Sequence, residues 1–195
     1  MRVVVLAGFL GSGKTTVALQ IARAAQARVR RVALIVNERG ETGVDNQLAA
    51  RLGFDLRELL GGCICCSLVA ELAPALEGLA ATSRPDLVIV EASGIAEPAQ
   101  IRSALQYARI ADLNLLSVSV VDAPRIAELM EVITPLVTRQ IENADLLVIA
   151  KMDVASDAEI EAARRIVGEI HPGATAFELN AREPLPTALT EALAL

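Results

Sequence analysis

The 195 residues carry a net charge of -6, and no basic run is longer than "RVRR" at 28–31, a balance that excludes a nucleic-acid or anionic-membrane surface as the expected partner. The hydrophobic share of 53% comes from Ala, Val, Leu and Ile, with aromatics at only 2%, which suits β-branched strands packed under alanine-rich helices. The length fits a single domain, 1–195, with one substantial core.

The chain opens with "MRVVVLAGFL", which runs directly into "GSGK" without a small-residue cleavage site and so reads as a buried strand at 3–7 rather than a signal peptide. A helix is expected over 14–27, and "VALIV" at 32–36 is the second strand. The segment "NERGETGVDN" at 37–46 has neither helical nor strand period, and its glycines and charges suit a switch-like surface loop. Helix 67–81, strand "DLVIV" at 86–90, helix 98–109 and strand "LLSVSVV" at 115–121 follow. Helix 135–143, strand "LLVIA" at 146–150, helix 157–170, strand "ATAFEL" at 174–179 and helix 185–193 complete the pattern. Strand and helix alternation of this kind predicts an α/β fold with a doubly wound, mostly parallel sheet flanked by helices. No apolar run is long enough to span a bilayer, so a soluble cytoplasmic protein is expected. Three cysteines within four positions, at 63, 65 and 66, cannot form a disulfide framework and read as reduced thiols.

Gly8 to Thr15 fit G-x-x-x-x-G-K-[ST], and they sit after the first predicted strand and at the start of the first predicted helix, the context a P-loop requires. Gly11 and Gly13, with Ser12 between them, let the backbone turn its N–H groups inward on phosphate oxygens at the positive end of the helix dipole. Lys14 supplies a point charge. Thr15 is expected to ligate Mg²⁺ through its hydroxyl, leaving Thr16 to contact the α-phosphate.

After the strand at 146–150 comes "AKMD", which resembles the guanine-reading [NT]-K-x-D of GTPases. A carboxylate at Asp153 can accept from guanine N1–H and N2–H₂ but faces the bare N1 lone pair of adenine, so it selects GTP. Lys151 is expected to lay its stem over the base. Ala150 departs from the motif, lacking the Asn amide or Thr hydroxyl that helps tie this loop to the phosphate loop. "LNAR" at 179–182 resembles the Ser-Ala-Lys loop that backs guanine, which makes Asn180 and Ala181 candidate base-site residues.

The segments "GFLGSGKTT", "VNERGETGVD", "GGCICCS", "VIVEASGIAEP", "VSVVDA", "IENADLLVIAKMD" and "NAREP" resemble, in order and spacing, the nucleotide domain of CobW-type GTPases, metallochaperone relatives of the urease and hydrogenase nickel-insertion GTPases. The resemblance covers essentially the whole chain, and its specific element is Cys-x-Cys-Cys after Gly-Gly, ahead of Glu-x-x-Gly. It implies a P-loop fold, GTP/GDP with Mg²⁺, a transition-metal ion, a client apoprotein, and a homodimer as one form of the nucleotide-bound state. Family members usually continue into a second domain, often with a histidine-rich tract.

In an extended loop Cys63 and Cys65 project to one side and Cys66 to the other unless the backbone bends. Soft thiolates suit Zn²⁺ or Co²⁺ rather than Mg²⁺. Three thiols leave a tetrahedral site open for water, a thiol of a second subunit, or Glu41, and the resemblance points to Glu41. His171, in "IHPGA", is better placed to cap a carbonyl than to bind metal. Glu91 ends a buried strand where P-loop proteins hold an acid near Mg²⁺, and Gly94 lets its loop approach the γ-phosphate. Asp45 is the candidate for orienting the attacking water, whereas Asp122 reads as structural.

The function expected is therefore a Mg²⁺-dependent GTPase, with Lys14, Thr15, Asp45 and Glu91 in catalysis, that couples metal binding at the thiols to its nucleotide state. Two alternatives stay open: a P-loop kinase of a small metabolite, and a metal or redox sensor that does not turn nucleotide over.

Overall fold

The computed structural model describes residues 1–28, 30–36, 55–58, 66–106 and 108–195. Strands β1 (Arg2–Ala7), β2 (Val32–Val36), β3 (Asp55–Glu58), β4 (Leu87–Glu91), β5 (Asn114–Asp122), β6 (Leu146–Ala150) and β7 (Ala176–Leu179) form one sheet in the order β3-β2-β4-β1-β5-β6-β7. Among the described residues every pairing is parallel, in line with the parallel sheet expected.

Burial on both faces explains why the strands are continuous apolar runs. Val4 and Leu6 of β1 belong to one core cluster, with Val17, Ile21 and Ala25 of helix α1 (Lys14–Gln26). Val3 and Val5 point the other way, into a cluster with Leu72, Leu76 and Leu79 of helix α2 (Cys66–Ala81) and with Ile101 and Leu105 of helix α3 (Pro98–Leu105). Each such fully buried Val or Leu contributes roughly 1.5–3 kcal/mol. A third cluster joins β5 and β6 to helices α4 (Ile126–Val132), α5 (Thr134–Glu142) and α6 (Asp157–Ile170). Ser156 and Glu159 close a reciprocal capping box that starts α6. Helix α7 (Thr187–Ala192) then lays Leu189 against the first cluster.

Strand β3 and helix α4 are elements that the sequence pattern did not mark. Among the described residues β3 is the edge strand, beyond β2, and its short, charged "DLRE" suits an edge. Among the described residues no helix is long and apolar enough to cross a membrane.

The strand order decides where a ligand can sit. From β1 the sheet extends through β4, β2 and β3 on one side and β5, β6 and β7 on the other, so the C-terminal ends of β1 and its neighbours frame the switch-point crevice. Because all strands run the same way, Gly8, Glu91, Asp122, Lys151 and Asn180, each at or just past a strand end, share that edge.

Candidate functional site

The loop between β1 and α1 turns on positive-φ glycines. Gly11 (φ 75°) and Gly13 (φ 98°) adopt a conformation that a side chain disfavours, and Gly13 is the N-cap residue of α1. At Gly94 the constraint is space, since a Cβ there would lie 2.7 Å from the backbone nitrogen of Leu10. The loop after β4 and the phosphate loop are thus in van der Waals contact. Buried Gln140 of α5 holds the β4 loop in place by donating to the carbonyls of Gly94 (3.2 Å) and Ala96 (3.0 Å).

Lys14 is only 7% exposed, and its Nζ folds back to donate to the carbonyls of Gly8 (3.0 Å) and Phe9 (3.1 Å). Burial pushes its ammonium below the usual lysine range; the Glu91 carboxylate opposes that shift and the Arg125 guanidinium adds to it. Thr15 Oγ1 donates to Glu91 Oε1 at 2.7 Å. An alcohol and a carboxylate oxygen side by side form a hard-oxygen pair of the kind Mg²⁺ takes. Ser12 is buried in the same loop, and Thr16 is exposed on the first turn of α1.

The second half of the edge is built by β6 and β7. Lys151 takes a left-handed backbone (φ 66°), and its Nζ donates to Asp122 Oδ2 at 2.8 Å. Asp153 is largely buried and pairs with the exposed Arg182, Nε to Oδ2 at 3.3 Å. Asn180 shapes its own loop, accepting from the Arg182 backbone N–H (2.9 Å) and donating to Glu183 Oε1 (2.7 Å). Gln20 of α1 donates to the carbonyls of Ala181 (3.1 Å) and Glu183 (3.0 Å), fastening this loop to the helix that follows the glycine turn.

Of the residues singled out from sequence, Gly11, Ser12, Gly13, Lys14, Thr15, Thr16 and Glu91 gather at the ends of β1 and β4, and Lys151, Asp153, Asn180 and Ala181 gather at the ends of β6 and β7. Cys66 opens α2. Cys63, Cys65, Glu41 and Asp45 lie outside the described residues. His171 Nδ1 sits 3.2 Å from the carbonyl of Ile141, in line with a capping role. Sequence reasoning missed Gln140 and Gln20, whose partners are distant in the chain, and Arg125, which pairs with Asp122 three residues earlier and reaches Leu10 far from it; Asp122, read from sequence as structural, is a buried charge at a strand end.

The profile described as "CobW/HypB/UreG, nucleotide-binding domain" matches residues 2–178. The zinc chaperone YjiA of Escherichia coli is 34% identical over 167 residues, covering 82% of this chain and 52% of that protein. The zinc chaperone CobW of Pseudomonas aeruginosa is 31% identical over 226 residues, covering 97% of this chain and 59% of that protein. The chain therefore spans little more than half the length of these curated relatives. Among solved structures, the hydrogenase maturation factor HypB from Archaeoglobus fulgidus shares the fold, with a TM-score of 0.66 at 17% identity over 100% of this chain and 87% of that one.

Proposed function

This chain belongs to the CobW/HypB/UreG family of nucleotide-binding domains, and from that premise we propose that it is a Mg²⁺-dependent GTPase that binds Zn²⁺ or Co²⁺ at Cys63, Cys65 and Cys66 and couples that affinity to its nucleotide state. One observation carries the reading: the Lys14, Thr15 and Glu91 cluster stands on the same sheet edge as Lys151 and Asp153, so a single nucleotide can span them.

In this reading the N–H groups of Gly11, Ser12 and Gly13 cradle the phosphates, and Lys14 exchanges its two carbonyl partners for β- and γ-phosphate oxygens. Thr16 contacts the α-phosphate. Thr15 and Glu91 hold Mg²⁺, whose charge, when bound, offsets the charge on the phosphates. Asp153 accepts from the guanine edge, the Lys151 stem covers the ring, and Asn180 and Ala181 back it. Asp45 orients the attacking water.

Transition metal is the cargo. Glu41 lies in the segment that follows Val36, the last residue of β2 on this same edge, so a γ-phosphate that orders the segment brings Glu41 toward the thiols as fourth ligand. The names of the curated relatives, zinc chaperones, support zinc as that cargo. The destination is a client apoprotein in the cytoplasm, where thiols stay reduced, and a nucleotide-dependent homodimer fits the same scheme.

Titrating Zn²⁺ into the protein with GDP, then with a non-hydrolysable GTP analogue, tests the coupling. Two-site coupling of roughly 1–3 kcal/mol gives about fivefold or more tighter metal binding with the analogue, and by linkage the metal tightens the analogue equally. Equal metal affinity in both states would mean that the thiols and the GTPase merely share a chain. Equal affinity for GDP and ADP, untouched by Asp153→Ala, would remove the guanine assignment and favour the kinase alternative.

A further inference from the structure

Asp122 ends β5 with its side chain fully buried, and one oxygen, Oδ2, accepts from two cations: Arg125 Nε at 2.6 Å and Lys151 Nζ at 2.8 Å. Arg125 reaches further. Its Nη2 donates to the carbonyl of Leu10 in the phosphate loop at 2.8 Å, and it lies 3.2 Å from where a Cβ on Gly11 would be. A continuous chain of hydrogen bonds therefore runs from Lys151 through Asp122 and Arg125 to Leu10. It joins the base-reading loop to the phosphate loop across the strand end between them.

The chain of contacts has a reason in the sequence. Position 150, where an Asn or Thr would tie these two loops together, is Ala150, whose methyl group can make no such bond. A carboxylate buried at 0% side-chain exposure is costly unless it is paired and hydrogen-bonded, so the two cations are held to it and hold each other's loops in register. The planar guanidinium fork is what lets one side chain serve both Asp122 and Leu10; a lysine ammonium on its flexible stem lacks that fixed double reach.

We propose that Asp122 and Arg125 act as a positioning brace that replaces the missing tie at Ala150 and so sets base discrimination from outside the base pocket. The proposal rests on the guanine-nucleotide reading for its effect on affinity, but the brace itself belongs to the nucleotide-free protein.

The test uses Arg125→Gln and Arg125→Lys, both at a half-exposed position where folding should survive, alone and combined with Ala150→Asn. GDP and ADP affinities are measured for each, with melting temperature as the control for folding. Members of one hydrogen-bond network couple by roughly twofold to a hundredfold in affinity, so Arg125→Gln is expected to lower the GDP-to-ADP preference by about threefold or more. Arg125→Lys should behave like Gln, since it keeps the charge and loses the fork. Ala150→Asn should restore the preference more in the Arg125→Gln background than it improves the parent. A Lys variant indistinguishable from the parent, or an equal Ala150→Asn effect in both backgrounds, overturns the brace. Amide exchange in the nucleotide-free protein decides independently. Residues 9–12 and 151–153 should exchange at least about threefold faster in both Arg125 variants, as expected when a bracing hydrogen bond is lost; unchanged exchange overturns the proposal even if the protein prefers no base. A parent that fails to discriminate GDP from ADP would sink the guanine reading and leave the brace to the exchange result.

Discussion

Replacing Lys14 by Met should separate nucleotide chemistry from folding. The substitution keeps the length and removes the ammonium, which donates to Gly8 at 3.0 Å and Phe9 at 3.1 Å. Hydrogen bonds from a charged group contribute about 1.5–3 kcal/mol each, but burying the ammonium costs several kcal/mol, so the two effects largely offset. The net change in stability should stay within about 2 kcal/mol, or roughly 4–8 °C in Tm for a chain of this size. Hydrolysis should behave differently, since loss of one preorganised donor to developing phosphate charge costs about 2.7–4 kcal/mol, which is about 10²–10³ in rate. The pH dependence supplies a second check. Burial lowers the Lys14 pKa in the folded protein, so the unfolded chain keeps its proton to higher pH. Between the depressed value and the ordinary lysine value the unfolded state binds more protons, and this group makes the nucleotide-free protein more stable as pH rises, by at most about 1.4 kcal/mol per pH unit. The Met variant should lack that contribution. Steady-state hydrolysis and chemical denaturation across alkaline pH test both halves. Turnover within about threefold of the parent, or a pH-stability difference of opposite sign, would refute the reasoning.

Other substitutions probe the scaffold and the metal. Gly94→Ala puts a Cβ 2.7 Å from Leu10 N and 3.0 Å from its Cα, so the phosphate loop must shift; a loss of about 1–3 kcal/mol and weaker nucleotide binding are expected, and an unchanged Tm would contradict the close approach. Gln140→Leu deprives the carbonyls of Gly94 and Ala96 of their donor, and should cost about 1–3 kcal/mol per stranded acceptor in urea unfolding while slowing hydrolysis through the β4 loop. Cys65→Ser should weaken Zn²⁺ binding and its coupling to GTP while leaving metal-free GTP affinity unchanged, as read by parallel titrations of nucleotide and metal.

The sequence by itself determined the parallel α/β sheet and the glycine turn into α1, because both are local patterns. Val3 to Ala7 form a strand buried on both faces, so every position in it must be apolar, and the Gly11 and Gly13 turn places Lys14 and Thr15 at the head of a helix without help from distant residues. The place of Asp153 on the same sheet edge was legible for a similar reason, its spacing from the end of β6 being fixed within a few residues. Strand Asp55–Glu58, at the sheet edge among the described residues, was not, since four residues with three charges carry no apolar run. Nor could any local pattern reveal that Gln140 supports the β4 loop, that Gln20 fastens the loop carrying Asn180, or that Asp122 meets Lys151. The last contact exists because β5 lies beside β6 with Asp122 in register with Ala150, a consequence of strand order. Only the tertiary structure could decide that a carboxylate which looks merely structural in the sequence would stand buried between two cations from separate loops.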